Sequence, residues 1–340
     1  MTDHPSDPSG PIGIIGAGRM GRGIALCFAM AGVPCLLVDF KERDKADRAA
    51  LEAEVRRELA GDLEFLAALD LLSRQDISPM VDRIRFMGFR EAQDDLARCA
   101  LVFEAVPEVM AIKENGLRWI SRHGAPEAII ASTTSTFVVD DLARFTAGPE
   151  RFVNAHWLNP AHLMPLVEVS QGAATAEDTM DRLIGMLEAI GKIPARLGAS
   201  AGYIVPRIQA LAMNEAARMV EEGVATAAEI DKAVRVGFGV RFAVLGLLEF
   251  TDWGGGDILY YASNYLSKMI DKDRFRVPDI VARNMSEGRN GLRDGEGFYD
   301  FSNMDVEAYR RDRLENFVRL LRHLDLLPRR RSAPPPAYPQ

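Results

Sequence analysis

A buried-strand pattern, Pro11 to Gly16 (PIGIIG), runs directly into Gly16-Ala17-Gly18-Arg19-Met20-Gly21 and then into a small-residue helix, Met20 to Gly32. Few local sequences restrict a fold more. Glycines at GxGxxG spacing serve three purposes. Gly16 permits a tight strand-to-helix turn, Gly18 lets the backbone approach a pyrophosphate, and Gly21 lets the helix pack on the strand. The helix N-terminus then offers unpaired N–H groups and a positive dipole end to phosphates, for which Arg19 and Met20 supply the first amides. The spacing alone is a weak motif. Its setting strengthens it, because a second strand, Pro34 to Phe40 (PCLLVDF), carries Asp39 near its end. An acid at that place accepts hydrogen bonds from an adenosine ribose and repels a 2′-phosphate, so it favours NAD over NADP. Lys41 and Arg43 follow closely and are the only local sign of tolerance for NADP.

The rest of the first half repeats the alternation. Lys41 to Leu72 reads as a helix with Leu51, Val55, Leu59, Leu63 and Leu66 on one stripe. Further apolar runs follow at Ile84 to Met87, Ala100 to Val106, Ala128 to Ala131, Phe152 to Ala155 and Leu166 to Val169. Strands alternating with helices imply an α/β fold, a Rossmann-type, doubly wound and mostly parallel sheet covered on both faces. Near residue 195 the pattern changes. Ala201 to Glu222 reads as one long helix ended by Gly223, Thr226 and Glu229 form a capping box, and only Gly297 to Phe301 is strand-like afterwards. The expected organisation is a disordered lead at 1–10, an NAD-binding Rossmann-type domain at 11–197, an all-helical C-terminal domain at 198–327 and a disordered tail at 328–340.

Charge and cysteine usage narrow the partners. The chain holds 41 Lys plus Arg against 49 Asp plus Glu, a net −8, which argues against nucleic acid. No run approaches a membrane span, and the first ten residues lack the regions of a signal peptide. Cys27, Cys35 and Cys99 form no CxxC and read as small hydrophobes in a reducing, cytoplasmic setting. The five histidines do not cluster at ligand spacings, so no metal is expected.

One histidine stands apart. His156 ends an apolar strand, and Glu168 lies twelve residues on, inside a second apolar run. A glutamate in a buried strand is costly unless paired. If the strands are neighbours, His156 is its natural partner. The carboxylate would fix the tautomer and leave the other ring nitrogen as an acid or base. A satisfied core histidine in a structural ion pair is the alternative that spacing leaves open.

GAGRMGRGIA (16–25), Asp39, EAVPE (104–108) with Lys113, STTS (132–135), HWLNP (156–160) and LMPLVEV (163–169) occur in this order. Together they resemble the 3-hydroxyacyl-CoA dehydrogenase family. GYIVPR (202–207), MNEAARMVEEG (213–223) and GEGFY (295–299) resemble its helical domain. The resemblance covers roughly residues 11 to 301. It implies a two-domain subunit of fatty acid metabolism that binds NAD and forms a homodimer through the second domain. It implies that His156 takes the 3-hydroxyl proton of an L-3-hydroxyacyl-CoA while hydride leaves C3, with Glu168 orienting the ring. Ser135 and Asn159 would hydrogen-bond substrate or nicotinamide. Ala105, Val106, Glu108 and Lys113 would contribute to the cofactor site.

Two departures bear on the substrate. The family usually has asparagine at Pro206, beside the substrate; proline brings no amide there, although a helix start tolerates it. Between Ala50 and Leu72, where the family often carries lysines for CoA phosphates, six acids (Glu52, Glu54, Glu58, Asp62, Glu64, Asp70) face only Arg56 and Arg57. The alternative is therefore a relative acting on a free 3-hydroxy acid or similar secondary alcohol, as L-gulonate and carnitine dehydrogenases do. A non-enzymatic NAD binder, like the crystallin relative of the family, fits less well with His156, Glu168 and Ser135 all present.

Overall fold

The computed structural model describes residues 10–327. The lead and tail expected from the sequence lie outside these residues, Gly10 excepted. The chain divides into two compact units, with the change at Leu211–Ala212.

The first unit is built on one eight-stranded sheet in the order β3-β2-β1-β4-β5-β6-β7-β8. The strands are β1 (Ile12–Ile15), β2 (Cys35–Asp39), β3 (Ile84–Gly88), β4 (Leu101–Glu104), β5 (Ile129–Ser132), β6 (Phe152–Trp157), β7 (Leu166–Ser170) and β8 (Ile193–Leu197). The first six run parallel, β7 is antiparallel to β6, and β8 is parallel to β7. The central strands are apolar on both sides because both faces are covered. Ile12, Ile14, Cys35, Leu37 and Phe103 enter one core layer, and Ile15, Leu36, Val38 and Val102 the other.

Helix α1 (Arg19–Met30) leaves the glycine turn and buries Ile24, Leu26 and Phe28. Helix α2 (Lys45–Ala68) buries the expected stripe at Val55, Leu59, Leu63 and Leu66. It starts later than the sequence pattern because Asp44 caps it, accepting from the Asp47 amide at 2.8 Å. The two helices are clasped by Arg22. Its Nε donates to the Ala17 carbonyl at 2.8 Å, and its guanidinium pairs with Glu54 and Glu58.

Four readings need correction. The sequence pattern does not show the edge strand β8, since it contains Pro194 and is half exposed. An edge strand tolerates proline, and it lacks the apolar run that marks an inner strand. The helix expected from Ala201 begins only at Val205. Gly202 (φ +77°) and Tyr203 (φ +49°) take left-handed conformations that a helix cannot include. The Thr226 cap is real, accepting from the Glu229 amide at 3.3 Å, but the Glu229 carboxylate pairs with Lys232 instead of returning to the cap.

The second unit is helical. In place of a strand at Gly297 to Phe301 there are two isolated bridges, Gly291 to Glu296 and Glu296 to Asp300. They wrap buried Asp252, which accepts from the Phe298 and Tyr299 amides at 3.0 and 2.8 Å. A Cβ on Gly297 would lie 2.2 Å from its carboxylate, which is why the GEGFY turn needs glycine there. Cys27, Cys35 and Cys99 are unpaired and buried, as small hydrophobes would be. Burial pushes the Cys27 thiol up to about 11 and that of Cys99 to about 12.

Candidate active site

The C-terminal ends of β1, β2, β4 and β5, with the loops that follow, border a cleft of about 850 Å³. Gly16, Gly18, Arg19, Met20, Asp39, Ala105, Val106, Glu108, Ser135 and His156 all line it. Ligands of open α/β sheets bind at this end, where the strand order reverses. Here the reversal falls between β1 and β4.

The glycine turn has room for a dinucleotide. Gly16 has φ +117°, and a Cβ on it would meet the Ala105 carbonyl at 2.4 Å. A Cβ on Gly21 would lie 1.9 Å from the Gly16 carbonyl oxygen, so Gly21 packs behind the cleft, not along it. A methyl group added at Gly18 would meet nothing within 4 Å, so the space at the start of α1 is clear. No side chain caps that helix. Its first amides are therefore available to phosphate oxygens. The residues present fit NAD: a clear helix N-terminus for the pyrophosphate and a carboxylate, Asp39, at the ribose end. The Asp39 carboxylate accepts from Arg43 Nε at 2.7 Å and from the Lys41 amide at 3.3 Å.

At the other end of the cleft is the histidine. The β6–β7 register sets His156 directly opposite Glu168. Nδ1 of His156 lies 2.8 Å from Oε2 of Glu168, which is wholly buried. The other carboxylate oxygen, Oε1, accepts from the backbone amides of Ile204 and Val205, both at 2.8 Å. One carboxylate thus aims the imidazole and closes the start of the helix Val205–Glu221. Pro206, second in that helix, has no N–H to satisfy. The next amide, Arg207, bonds the Gly202 carbonyl at 3.0 Å. Pro206 is not among the cleft-lining residues.

Tyr203 completes this end. Its ring stacks on His156 with centroids 4.6 Å apart and planes 17° from parallel. Its hydroxyl donates to the Thr134 carbonyl at 2.7 Å. Burial raises the phenol above its ordinary range, so it stays a neutral donor. Tyr203 was not singled out from sequence. No local pattern marks a tyrosine that will take a left-handed backbone, although the preceding glycine is consistent with a turn.

Ser135 is exposed on the cleft wall, in a loop organised by Glu108. That carboxylate accepts from the Thr134 hydroxyl and from the Ser135 and Thr136 amides at 3.1 and 3.0 Å. Burial opposes its ionisation, but the Thr134 bond and the Lys113 charge outweigh this and hold it below the usual carboxylate range. Lys113 is fully buried and lines no part of the cleft. Its ammonium bridges Glu104 at 3.1 Å and Glu108 at 3.2 Å. Glu104 also accepts from the Ser132 hydroxyl at 2.5 Å and the Val106 amide at 2.9 Å. Burial pushes Glu104 up despite these partners. Glu104 was missed, although it too is a glutamate in a buried apolar strand and carries the same demand for a partner as Glu168.

Asn159 is exposed in the turn after β6 and lines a neighbouring pocket of about 750 Å³ with Arg19, Arg22, Glu58, Asp62 and His162. Among the described residues no group of three or more His, Cys, Asp or Glu is arranged to hold a metal, and no helix is long and apolar enough to cross a membrane.

The comparisons with known proteins agree with this layout. The profile of the 3-hydroxyacyl-CoA dehydrogenase NAD binding domain matches residues 11–200, and that of the C-terminal domain matches residues 202–301. A 5-formyl-3-hydroxy-2-methylpyridine 4-carboxylate 5-dehydrogenase of Mesorhizobium japonicum is 30% identical over 315 residues, 92% of this chain and 98% of that protein. A 3-hydroxybutyryl-CoA dehydrogenase of Bradyrhizobium diazoefficiens is 31% identical over 291 residues, 85% of this chain and 94% of that one. A crystal structure of an Archaeoglobus fulgidus 3-hydroxyacyl-CoA dehydrogenase superposes with a TM-score of 0.74 at 30% identity, covering 94% of this chain and 100% of that chain. The chain is a member of the 3-hydroxyacyl-CoA dehydrogenase family, NAD-dependent enzymes that act on CH–OH groups.

Proposed function

We propose that the protein interconverts an L-3-hydroxyacyl-CoA and its 3-oxoacyl-CoA, with His156 as the general base and Glu168 as the group that positions it. The observation that carries this is the 2.8 Å contact between His156 Nδ1 and a fully buried carboxylate at one end of a dinucleotide-sized cleft. Glu168 accepts a hydrogen bond from Nδ1–H, so Nε2 is left unprotonated toward substrate. Nε2 removes the hydroxyl proton, and the carboxylate stabilises the imidazolium that results. Bound NAD+ would supply the acceptor for the hydride, hydrogen with its electron pair, that leaves C3 as the hydroxyl proton goes to His156. Ser135, on a loop held by Glu108, hydrogen-bonds the reacting oxygen. The stacked Tyr203 ring keeps the imidazole plane fixed and covers one of its faces.

A second reading is favoured by the pocket beside the cleft. Its lining includes Glu58 and Asp62, and its Arg22 is already engaged by Glu54 and Glu58. Such a surface attracts the phosphates of a CoA poorly, which leaves a smaller hydroxy acid, held in the main cleft and not here, as the alternative. The Mesorhizobium relative is named for a pyridine carboxylate. Acetoacetyl-CoA and free 3-oxobutyrate, each offered with NADH, separate the two. Turnover of the thioester supports the first reading; turnover of free acids alone replaces it with the second. Unchanged turnover in His156→Ala would overturn the assignment of the base.

Self-association into a homodimer belongs to the same proposal. The helix Val205–Glu221 buries none of its residues, and Leu211 and Met213 are each 69% exposed. Apolar side chains so exposed favour a covering copy. A monomer by light scattering at micromolar concentration would refute it. The three unpaired thiols support a reducing, cytoplasmic setting.

A further inference from the structure

We propose that the cleft accepts NADP as a second, weaker cofactor, with Arg43 as the receptor of the 2′-phosphate. At the ribose end, Asp39, side chain 6% exposed, is the carboxylate that closes β2, and Arg43 Nε is bonded to its Oδ2 at 2.7 Å. That bond uses one nitrogen of the guanidinium. Neither terminal nitrogen of Arg43 has a hydrogen-bond or ion-pair partner among the described residues. Asp39 therefore anchors the fork beside the ribose position while two of its three nitrogens remain available.

The neighbouring charges isolate this pair of donors. The Arg48 guanidinium is taken by Glu91 and the Arg43 carbonyl, and Glu42 is taken by Arg90 at 2.5 Å. Lys41 lines the cleft with Arg43, and its ammonium makes no ion pair among the described residues. Two cations thus border the site where a lone carboxylate would otherwise repel a 2′-phosphate. A carboxylate oxygen accepts more than one hydrogen bond, so Arg43 leaves Asp39 able to receive a ribose hydroxyl. NAD is read by Asp39, and a 2′-phosphate is read by the outer nitrogens of Arg43, which match phosphate oxygens bidentately. The carboxylate keeps NAD the preferred cofactor.

The test is a binding titration that needs no substrate. Binding of NADH and of NADPH to the full-length protein is followed by cofactor fluorescence, and each is competed with 2′,5′-ADP or 5′-AMP. Wild type is expected to bind NADPH measurably but more weakly than NADH. Arg43→Ala should weaken NADPH and 2′,5′-ADP about tenfold or more relative to NADH, the scale of a charged hydrogen-bonded contact. Asp39→Asn should shift the preference the other way, and Asp39→Asn combined with Arg43→Ala should lose that gain. Added salt should weaken NADPH more than NADH. Retained NADH binding by Arg43→Ala shows that the variant is folded. Absence of NADPH binding in wild type, or an NADPH-to-NADH ratio unmoved by Arg43→Ala, would overturn the proposal. Failure of the substrate assignment would leave both measurements intact.

Discussion

Glu168→Gln separates chemistry from architecture, because the two oxygens of this carboxylate have different duties. Oε1 receives two backbone amides, and Oε2 faces His156 Nδ1. Glutamine can keep its carbonyl oxygen on Ile204 and Val205, which turns an NH₂ group toward the imidazole. Nδ1 must then accept, and the ring proton moves to Nε2, the atom that has to take a proton from substrate. The charged contact with the ring is exchanged for a neutral N–H···N bond, so the cost in stability is smaller than that of removing the carboxylate. A positioned general base contributes roughly 10²–10⁴ to rate, and a wrong tautomer forfeits most of that. The expected outcome is a fall in kcat of about 10²–10⁴ with NADH affinity retained and a melting temperature close to wild type. Steady-state rates on whichever oxo substrate wild type reduces give the first number, and thermal melts the second. Glu168→Ala is the control: it strands two backbone donors and costs about 1–3 kcal/mol for each. A folded Glu168→Gln protein with kcat within about threefold of wild type would refute the dyad.

Other consequences are as direct. Gly21→Ala should fail to fold or lose NADH binding, since its Cβ would sit 1.9 Å from a backbone oxygen, whereas Gly18→Ala should melt near wild type and bind NADH more weakly; equal melts would contradict this. Glu108 lies below its ordinary value of 4.5 when folded, so its contribution is complete above that pH and fades as pH falls through the lower folded value. The stability gap between wild type and Glu108→Gln should accordingly be constant at neutral pH and close in acid; a gap that widens in acid would reverse the sign. Tyr203→Phe keeps the ring over His156 and loses one hydroxyl bond, so stability should drop about 0.5–1.5 kcal/mol in denaturant melts with kcat little changed. A thiol reagent at pH 8 should find no rapidly reacting cysteine in the native protein, given buried thiols pushed up to about 11 and about 12 at Cys27 and Cys99.

Much of the fold was legible in the sequence because burial leaves a pattern. Inner strands of a covered sheet are mostly apolar, so β1, β2 and β4 to β7 could be read as runs, and the edge strand β3 could be read because Ile84, Phe86 and Met87 keep an apolar pattern around exposed Arg85. A buried glutamate demands a partner, so Glu168 and His156 could be joined across strands. The edge strand β8, half exposed and containing Pro194, carries neither signature. Tyr203 escaped for a different reason. Its role depends on a left-handed backbone and on a carbonyl sixty-nine residues away, and neither is encoded locally. Lys113 was recognised as belonging near the cofactor, but its charge acts from beneath the wall by holding Glu104 and Glu108. Sequence spacing gives neighbourhoods; it does not tell a lining residue from the one that props it.

The divided duty of Glu168 has an evolutionary corollary. A descendant that abandoned chemistry could replace His156 by any residue that donates to Glu168 Oε2, because the ring closes no backbone donor. It would still be selected to keep Glu168, because the amides of Ile204 and Val205 need an acceptor wherever that helix begins. Among relatives, the glutamate alone is therefore a marker of shared architecture. The histidine opposite it is the marker of retained activity.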